Sequence, residues 1–222
     1  MNLRLLRRVR RTVFTRPRQR MLALFAGIVV PLYAFGDVAE DIWLEGGHPW
    51  DQRVQALVHR YDTPTRDRLM QGLSQIGYTG GVVPLDVAVM LALLARSHRD
   101  DARFFGTCVG GSGLITLMAK RLFRRKRPAV DWHETSPLHS YSFPSGHAMR
   151  SFATVAALVV LAWPTPWRWP LIAAGVPFVA LVGVSRVYLG VHYPSDVVAS
   201  WSAALAWTTG TSLAAYGQIG KP

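Results

Sequence analysis

The residues best suited to chemistry lie at positions 185–196, in the sequence SRVYLGVHYPSD. His192 precedes Asp196 by four residues, and Pro194 is typical of a first helical turn, so the imidazole and the carboxylate can face each other across that turn. An imidazole held by a carboxylate on one nitrogen presents the other nitrogen as a nucleophile or base. Taken alone, the pair is equally typical of a helix-start carboxylate beside an interfacial histidine.

A second cluster, residues 142–147 (SFPSGH), offers a site for an anion and another histidine. Ser145 and Gly146 suit the start of a helix, where free backbone amides and the positive end of the helix dipole favour negative charge. By itself, however, the pattern is more typical of an ordinary helix N-cap with an interfacial histidine at His147.

The third cluster, residues 120–128 (KRLFRRKRP), holds six cations within eight residues. Such a concentration of charge requires solvent, anionic lipid or a bound anion to offset the mutual repulsion. On this cluster alone, a basic stop that contacts lipid headgroups is the better interpretation.

Six apolar segments, each near the length that crosses a bilayer, surround the clusters: 21–43, 79–95, 104–119, 147–163, 169–184 and 195–216. Between the first two, apolar residues recur at helical spacing on either side of Thr63 and Pro64, which predicts two short amphipathic helices at the outer surface. Gly106, Gly110 and Gly113 predict close helix contact within the third segment. The predicted fold is an all-α bundle of six transmembrane helices, with short amphipathic helices between spans one and two.

Composition agrees with a membrane protein. Of 222 residues, 50% are hydrophobic and 17% are charged, the mean hydropathy is +0.17 and the net charge is +12. These values argue against disorder and against an ordinary soluble domain. The cations lie between apolar runs, so we expect no nucleic-acid partner. Cys108 is the only cysteine of the sequence, which excludes an intrachain disulfide and a thiolate zinc site.

The orientation rests on residues 1–20, which contain eight arginines and no acidic residue. Because such clusters stay inside, we predict a basic cytoplasmic segment at 1–20 and a single membrane domain at 21–222. A cleaved signal peptide is the competing interpretation of residues 1–40, but no Ala-x-Ala site follows the apolar stretch. With six spans, all three clusters meet in one outer layer, beside a polar connection at 129–141.

Together the clusters supply two histidines, a carboxylate, several cations and a helix start. This set suits phosphoryl transfer without a metal. Arginine forks and a lysine neutralise phosphate oxygens, one histidine attacks phosphorus and the other protonates the leaving oxygen.

The sequence resembles the type 2 phosphatidic acid phosphatase (PAP2) family, whose three-part signature it matches at every fixed position. The matching residues are Lys120, Arg127 and Pro128 for K-x6-R-P, residues 144–147 for P-S-G-H, and Ser185, Arg186, His192 and Asp196 for S-R-x5-H-x3-D. The soluble vanadium haloperoxidases share this signature, but six apolar spans argue against that group.

The resemblance implies a phosphatase that needs neither metal nor cofactor and forms a phosphohistidine on His192. Asp196 would orient that ring and stabilise its charge, while His147 would protonate the departing group and later activate water. The residues implied to hold the phosphate are Lys120, Arg127, Ser145, the Gly146 amide and Arg186.

Arg150 and Asp86 lie within the predicted spans four and two and outside the signature. Arg150 lies one turn into span four on the side of His147, where an unpaired charge is costly. It is expected either to pair with Asp86, the only acidic residue of span two, or to reach a second phosphate of the substrate. Residues 60–80 are expected at the interface, as filler or as a lip over the site entrance.

The preferred function is dephosphorylation of a lipid phosphate or pyrophosphate. Undecaprenyl pyrophosphate is slightly favoured, because Arg121, Arg124, Arg125 and Lys126 suit more than one phosphate. Phosphatidylglycerol phosphate, phosphatidic acid and a lipid A phosphate are the other candidate substrates. The alternatives are a phosphotransferase that passes the group from His192 to a second lipid, and a non-catalytic lipid-binding membrane protein.

The expected partners are the lipid bilayer and a membrane lipid phosphate. The expected location is a bacterial inner membrane, with a cytoplasmic amino terminus and the site facing the periplasm or exterior. No oligomeric state is predicted.

Overall fold

The computed structural model describes residues 17–61, 63–128 and 141–216, which form helices and short connections without any strand. The predicted all-α class is therefore confirmed for this part of the chain. Helix α1 comprises Pro17–Leu24, a π-helical stretch Phe25–Val29 and Val30–Glu45. The others are α2 (Asp51–His59), α3 (Pro64–Ile76), α4 (Val82–Ala95), α5 (Arg99–Phe123), α6 (Gly146–Ala162), α7 (Arg168–Tyr188) and α8 (Pro194–Tyr216).

Three helical stretches are long and apolar enough to cross a membrane: Met21–Glu45, Arg99–Phe123 and Arg168–Tyr188. Helices α4 and α6 are also apolar but have only 14 and 17 residues, and α8 has 23. Large apolar side chains face outward on several of these helices, as with Leu32, Leu91 and Val176. Such a surface suits lipid tails, while the total of six spans stays a prediction.

Helices α6 and α8 pack against each other at the centre of the bundle. Helix α6 also contacts α5 and α7, and α8 also contacts α1 and α5. Fully buried alanines on both helices, such as Ala153, Ala157, Ala199 and Ala204, let the two backbones approach closely. This packing places the first turns of α6 and α8, which carry the second and third clusters, at the same end of the bundle.

The two short helices predicted between spans one and two are present as α2 and α3. Thr63 caps α3 by accepting a hydrogen bond from the Arg66 amide, and Pro64 occupies its first position. Helix α3 packs on α7, and α2 packs on α7 and α8. The Tyr188 hydroxyl, at the last residue of α7, donates to the Asp67 carboxylate at 2.8 Å. These helices therefore cover the end of the bundle where the clusters meet.

Two of the predicted segments extend beyond the described residues. The polar connection at 129–141 lies outside them except for Tyr141. Of the predicted basic segment, residues 1–16 also lie outside, whereas 17–20 form the first turn of α1.

The glycines of α5 match the prediction only in part. A Cβ atom at Gly106 would lie 2.8 Å from the Met90 side chain of α4, which confirms the close helix contact there. A Cβ atom at Gly110 or Gly113 would meet nothing within 4 Å, whereas one at Gly111 would lie 2.2 Å from the Trp207 ring of α8. The Trp207 indole N–H donates to the Thr107 and Cys108 carbonyls at 3.0 and 3.1 Å. The close approach predicted for Gly110 and Gly113 is therefore wrong, because the α8 tryptophan lies over the adjacent position.

We predict that Gly111→Ala destabilises the protein, because the new methyl group must displace an indole held by two hydrogen bonds. Overpacking of this kind costs about 1–3 kcal/mol, which lowers the unfolding midpoint by several degrees. Gly110→Ala and Gly113→Ala are the matched controls, and we expect neither to lower the midpoint. Thermal unfolding in detergent measures all three. Equal midpoints for Gly111→Ala and the controls would contradict the packing.

Candidate active site

His192 and Asp196 lie where the connection after α7 enters α8. His192 is 2% exposed, and its Nδ1 lies 3.4 Å from Asp196 Oδ2. The Tyr193 amide donates to the same carboxylate oxygen at 3.0 Å, because the first turn of α8 leaves that amide without a helical acceptor. Nδ1 is therefore directed at Asp196, and Nε2 is the ring nitrogen that faces away from it.

The first cluster supplies cations from the end of α5 and the segment after it. The Lys120 ammonium group, in the last turn of α5, donates to the Tyr141 carbonyl. Arg127 donates to the Val191 carbonyl at 2.9 Å, directly before His192 in the chain. The two residues that the signature places seven positions apart thus lie beside the histidine connection.

Arg186 completes the cationic surroundings of His192 from the last turns of α7. It is buried, and its guanidinium group donates to the Ser74 hydroxyl of α3. Burial lowers the pKa of His192 well below its ordinary value of 6.5, and the positive charges of Arg186, Arg127 and Lys120 lower it further. The ring is therefore neutral at pH 7, the state in which Nε2 carries a lone pair.

The start of α6 brings the second cluster to the same place. Ser145 is fully buried, and among the described residues its Oγ has no hydrogen-bond partner. Its amide donates to the Asp196 carbonyl at 3.4 Å, which ties the starts of α6 and α8 together. A Cβ at Gly146 would make only ordinary contact with Thr116, at 3.6 Å. The uncapped first turn of α6 therefore presents a hydroxyl and backbone amides to an anion.

His147 follows in the first turn of α6 and belongs to the same group of charges. Arg186, His192, Arg127 and Lys120 all act on it electrostatically. The structure thus brings together the eight residues that the resemblance implied to be catalytic or phosphate-binding. They are His192, His147, Asp196, Lys120, Arg127, Ser145, Gly146 and Arg186.

Arg150 and Asp86 form an ion pair between α6 and α4. The Arg150 Nε donates to Asp86 Oδ2 at 2.8 Å, and the Thr154 hydroxyl donates to Asp86 Oδ1 at 2.7 Å. Of the two predicted arrangements, the structure therefore adopts the pairing with Asp86 rather than an Arg150 reserved for a second phosphate.

No group of three His, Cys, Asp or Glu side chains suited to hold a metal ion occurs within residues 17–61, 63–128 and 141–216. The polar groups around His192 and at the start of α6 include cations, backbone amides and a hydroxyl, which are the groups that bind phosphate oxygens.

Comparison with known proteins agrees with this geometry. The family model described as the PAP2 superfamily matches residues 101–219. The chain belongs to the PAP2 superfamily.

Individual relatives extend the match toward the amino terminus. Phosphatidylglycerophosphatase B of Bacillus subtilis is 30% identical over 163 residues, which cover 70% of this chain and 78% of that protein. The decaprenylphosphoryl-5-phosphoribose phosphatase of Mycobacterium tuberculosis is 40% identical over 141 residues, or 61% of this chain and 73% of that protein.

A solved structure shares the fold. The crystal structure of the transmembrane PAP2 type phosphatidylglycerolphosphate phosphatase from Bacillus subtilis superposes with a TM-score of 0.74. It has 23% sequence identity and covers 87% of this chain and 97% of that chain. This likeness establishes the bundle architecture.

Arg125 lies within the first PAP2 motif but at a position that the motif leaves open, and its role differs from the prediction. Its NH1 group donates to Asp196 Oδ1 at 2.6 Å and to the Ser195 hydroxyl at 2.8 Å, and its NH2 group donates to Asp51 Oδ2 at 2.6 Å. The guanidinium group also lies 3.9 Å from the centre of the Tyr193 ring. Arg125 is 6% exposed. It is therefore an internal clamp rather than a cation for a second phosphate.

Asp51, the first residue of α2, is the other half of this clamp and was not among the predicted site residues. It is 2% exposed and accepts from the Ser195 amide at 2.9 Å and the Ser195 hydroxyl at 2.6 Å. A Cβ at Gly47 would lie 2.9 Å from Arg125, so the chain before α2 also fits closely around the guanidinium group. The only sequence signal was an acidic residue at the start of an amphipathic helix, which is common at exposed helix starts.

We predict that the His192 imidazole of the PAP2 site titrates below pH 6.5. Burial and the neighbouring cations disfavour the protonated ring and so lower the pKa of His192 in the folded protein. The ring therefore stays neutral until the pH falls below 6.5, the ordinary pKa of histidine. NMR of histidine-labelled protein without substrate measures this, with His192→Ala used to assign the signal. A His192 signal that titrates at or above pH 6.5 would refute the predicted direction.

We also predict that Arg125→Lys impairs both stability and turnover. A lysine keeps the charge, but its compact ammonium group cannot bridge Ser195, Asp196 and Asp51 as the guanidinium fork does. Misplacement of Asp196 should lower kcat on the order of tenfold to a hundredfold. The neighbouring Arg124→Lys is the matched control, since Arg124 is exposed and donates through Nε to the Arg121 carbonyl. The same loss of kcat in both variants would count against the clamp.

Proposed function

We propose that this PAP2 protein hydrolyses the phosphate monoester of a membrane lipid through a phosphohistidine on His192. The charge of the site carries the proposal. Four buried or half-buried cations, namely Lys120, Arg125, Arg127 and Arg186, face two buried carboxylates, Asp51 and Asp196. The excess of two positive charges equals the charge of a phosphate monoester dianion. A phosphodiester, with one negative charge, would leave the site unbalanced.

The first chemical step forms a bond from His192 Nε2 to phosphorus and breaks the bond from phosphorus to the lipid oxygen. The Nδ1–H of His192 donates a hydrogen bond to Asp196, which leaves the lone pair on Nε2. Lys120, Arg127, Arg186, the Ser145 hydroxyl and the Gly146 amide would hold the phosphate oxygens as charge shifts onto them.

His147 would give its proton to the departing lipid oxygen. The bound dianion adds negative charge among the cations that act on His147, and this favours the protonated imidazole. In the second step, His147 takes a proton from water. The water oxygen bonds to phosphorus while the bond from phosphorus to His192 Nε2 breaks, which releases inorganic phosphate. The enzyme then returns to its starting state without a cofactor.

The substrate class follows from the cations that remain available. Undecaprenyl pyrophosphate was favoured because Arg121, Arg124, Arg125 and Lys126 could bind a second phosphate. In the structure, Arg125 is engaged by Asp51 and Asp196, and the other three are exposed, so these cations no longer favour a substrate with two phosphates. The names of two relatives, a phosphatidylglycerophosphatase and a decaprenylphosphoryl-5-phosphoribose phosphatase, both point to a phosphorylated lipid. We therefore place phosphatidylglycerol phosphate ahead of undecaprenyl pyrophosphate.

We further propose a bacterial inner membrane with the site on the outer side. The two relatives described above come from bacteria, Bacillus subtilis and Mycobacterium tuberculosis. The eight arginines of residues 1–20 support a cytoplasmic amino terminus, and six spans then place the ends of α5 and α7 and the starts of α6 and α8 outside.

The test is release of inorganic phosphate by purified protein in detergent containing EDTA. The panel comprises phosphatidylglycerol phosphate, phosphatidic acid, a lipid A phosphate and undecaprenyl pyrophosphate, with no acceptor lipid. We expect release from the monoesters, and we expect His192→Ala to lower it by on the order of a thousandfold, since the nucleophile is lost. His98→Ala is the matched control, because His98 precedes α5 at the opposite end of that helix from Lys120.

Three other results would contradict the proposed hydrolysis. Release that requires a divalent metal, or that persists in His192→Ala, would overturn the histidine mechanism. Transfer of phosphate to an added lipid alcohol, with no release in its absence, would identify a phosphotransferase. Binding of the lipids without either reaction would identify a non-catalytic protein.

A further inference from the structure

Tyr78 lies outside the three PAP2 motifs, yet its side chain contacts the active site. It belongs to the turn between α3 and α4, and its ring stacks on the His147 imidazole. The ring centres are 4.6 Å apart, and the ring planes are inclined by 27°. Because the imidazole of an exposed histidine rotates freely, a ring packed against one face restricts the directions in which its two nitrogens can point.

The turn that carries Tyr78 is itself fixed. A Cβ at Gly77 would lie 2.6 Å from the Val182 side chain of α7, and a Cβ at Gly81 would lie 2.3 Å from the Ile76 carbonyl, so only glycine fits at either position. The Tyr78 carbonyl accepts a hydrogen bond from the Val83 amide at 2.8 Å. The backbone of Tyr78 is thus anchored to α7 on one side and to α4 on the other.

The ion pair between α4 and α6 supports the Tyr78 ring. The Arg150 guanidinium carbon lies 5.8 Å from the centre of that ring, within the range of a cation–π contact. Arg150 is held in turn by Asp86, which also accepts from Thr154. A continuous set of contacts therefore runs from Asp86 through Arg150 and Tyr78 to His147.

We propose that Tyr78 is a positioning residue for His147, the acid of the proposed reaction. Its ring keeps the imidazole directed at the leaving oxygen, and the negative face of its π-system favours the imidazolium form that donates the proton. Asp86 and Arg150 act one contact further away, by fixing the ring. The inference rests on the proposed function in that it assigns the proton transfer to His147.

The hydroxyl group of Tyr78 has no part in this role, which yields a matched pair of variants. Tyr78→Phe keeps the stacked ring, and Tyr78→Leu removes it. Tyr33→Leu controls for the loss of a tyrosine elsewhere, since Tyr33 is 75% exposed on α1.

The decisive measurement is kcat/KM for phosphate monoesters whose leaving groups differ in basicity, from a lipid alcohol to p-nitrophenol. This constant covers the steps up to cleavage of the ester bond. A basic alkoxide needs the proton of the acid, whereas nitrophenolate departs with little help. We expect Tyr78→Leu to lower kcat/KM about tenfold or more for the lipid phosphate and less than about threefold for p-nitrophenyl phosphate. We expect Tyr78→Phe and Tyr33→Leu to stay near the wild-type protein on both.

An equal loss on both substrates in Tyr78→Leu would indicate a structural defect and overturn the proposal, as would wild-type activity of this variant on the lipid phosphate. The stack itself is tested without turnover, by NMR of protein labelled at the histidine ring carbons. The His147 ring proton, assigned with His147→Asn, should be shifted upfield in the wild-type protein and Tyr78→Phe but not in Tyr78→Leu. A wild-type protein that releases no phosphate from any ester refutes the proposed function instead, while the NMR signal still tests the stack.

Discussion

The buried guanidinium group of Arg125 is the constraint on which the outer end of this bundle depends. It lies between two buried carboxylates, Asp51 and Asp196, at 2.6 Å from each. Removal of Arg125 would leave both carboxylates without this counter-charge in the interior, a defect that costs about 3–5 kcal/mol in proteins. The start of α2, the segment after α5 and the start of α8 must therefore assemble together. Asp196 reaches its position only in that assembly.

This dependence explains why residues outside the PAP2 signature matter to the site. The signature supplies the groups that would touch a phosphate, but several of them are held by α2 and α3. Asp51 holds Arg125, Ser74 accepts from Arg186, and Gln55 of α2 donates to the His192 carbonyl at 3.4 Å. Ser74 belongs to the stretch 60–80 that was predicted as a lip or as filler, so this stretch is part of the support of the site through its bond to Arg186.

Local patterns predicted the helices and the three clusters, because hydropathy and fixed spacing lie within a few neighbouring residues. The pairing of Arg150 with Asp86 was also within reach, since an isolated charge in an apolar span requires a partner. The role of Arg125 could not be predicted from the sequence, because Arg125 is one of six cations in a run and only its burial distinguishes it from its neighbours. The close packing of Gly111 could not be predicted for a related reason. Every face of an apolar span is apolar, so its sequence does not show which side meets Trp207.

The clamp also decides what Asp196 does for His192. A carboxylate 3.4 Å from an imidazole ordinarily favours the imidazolium form and raises the pKa of the histidine. Here Arg125 lies closer to the carboxylate than His192 does and offsets its charge, so burial and the three cations prevail and the pKa of His192 falls. In this arrangement, Asp196 selects the tautomer more than it supplies a counter-charge. The proposed nucleophile must be neutral before it attacks, and the buried arginine lets Asp196 orient the ring without favouring its protonated form.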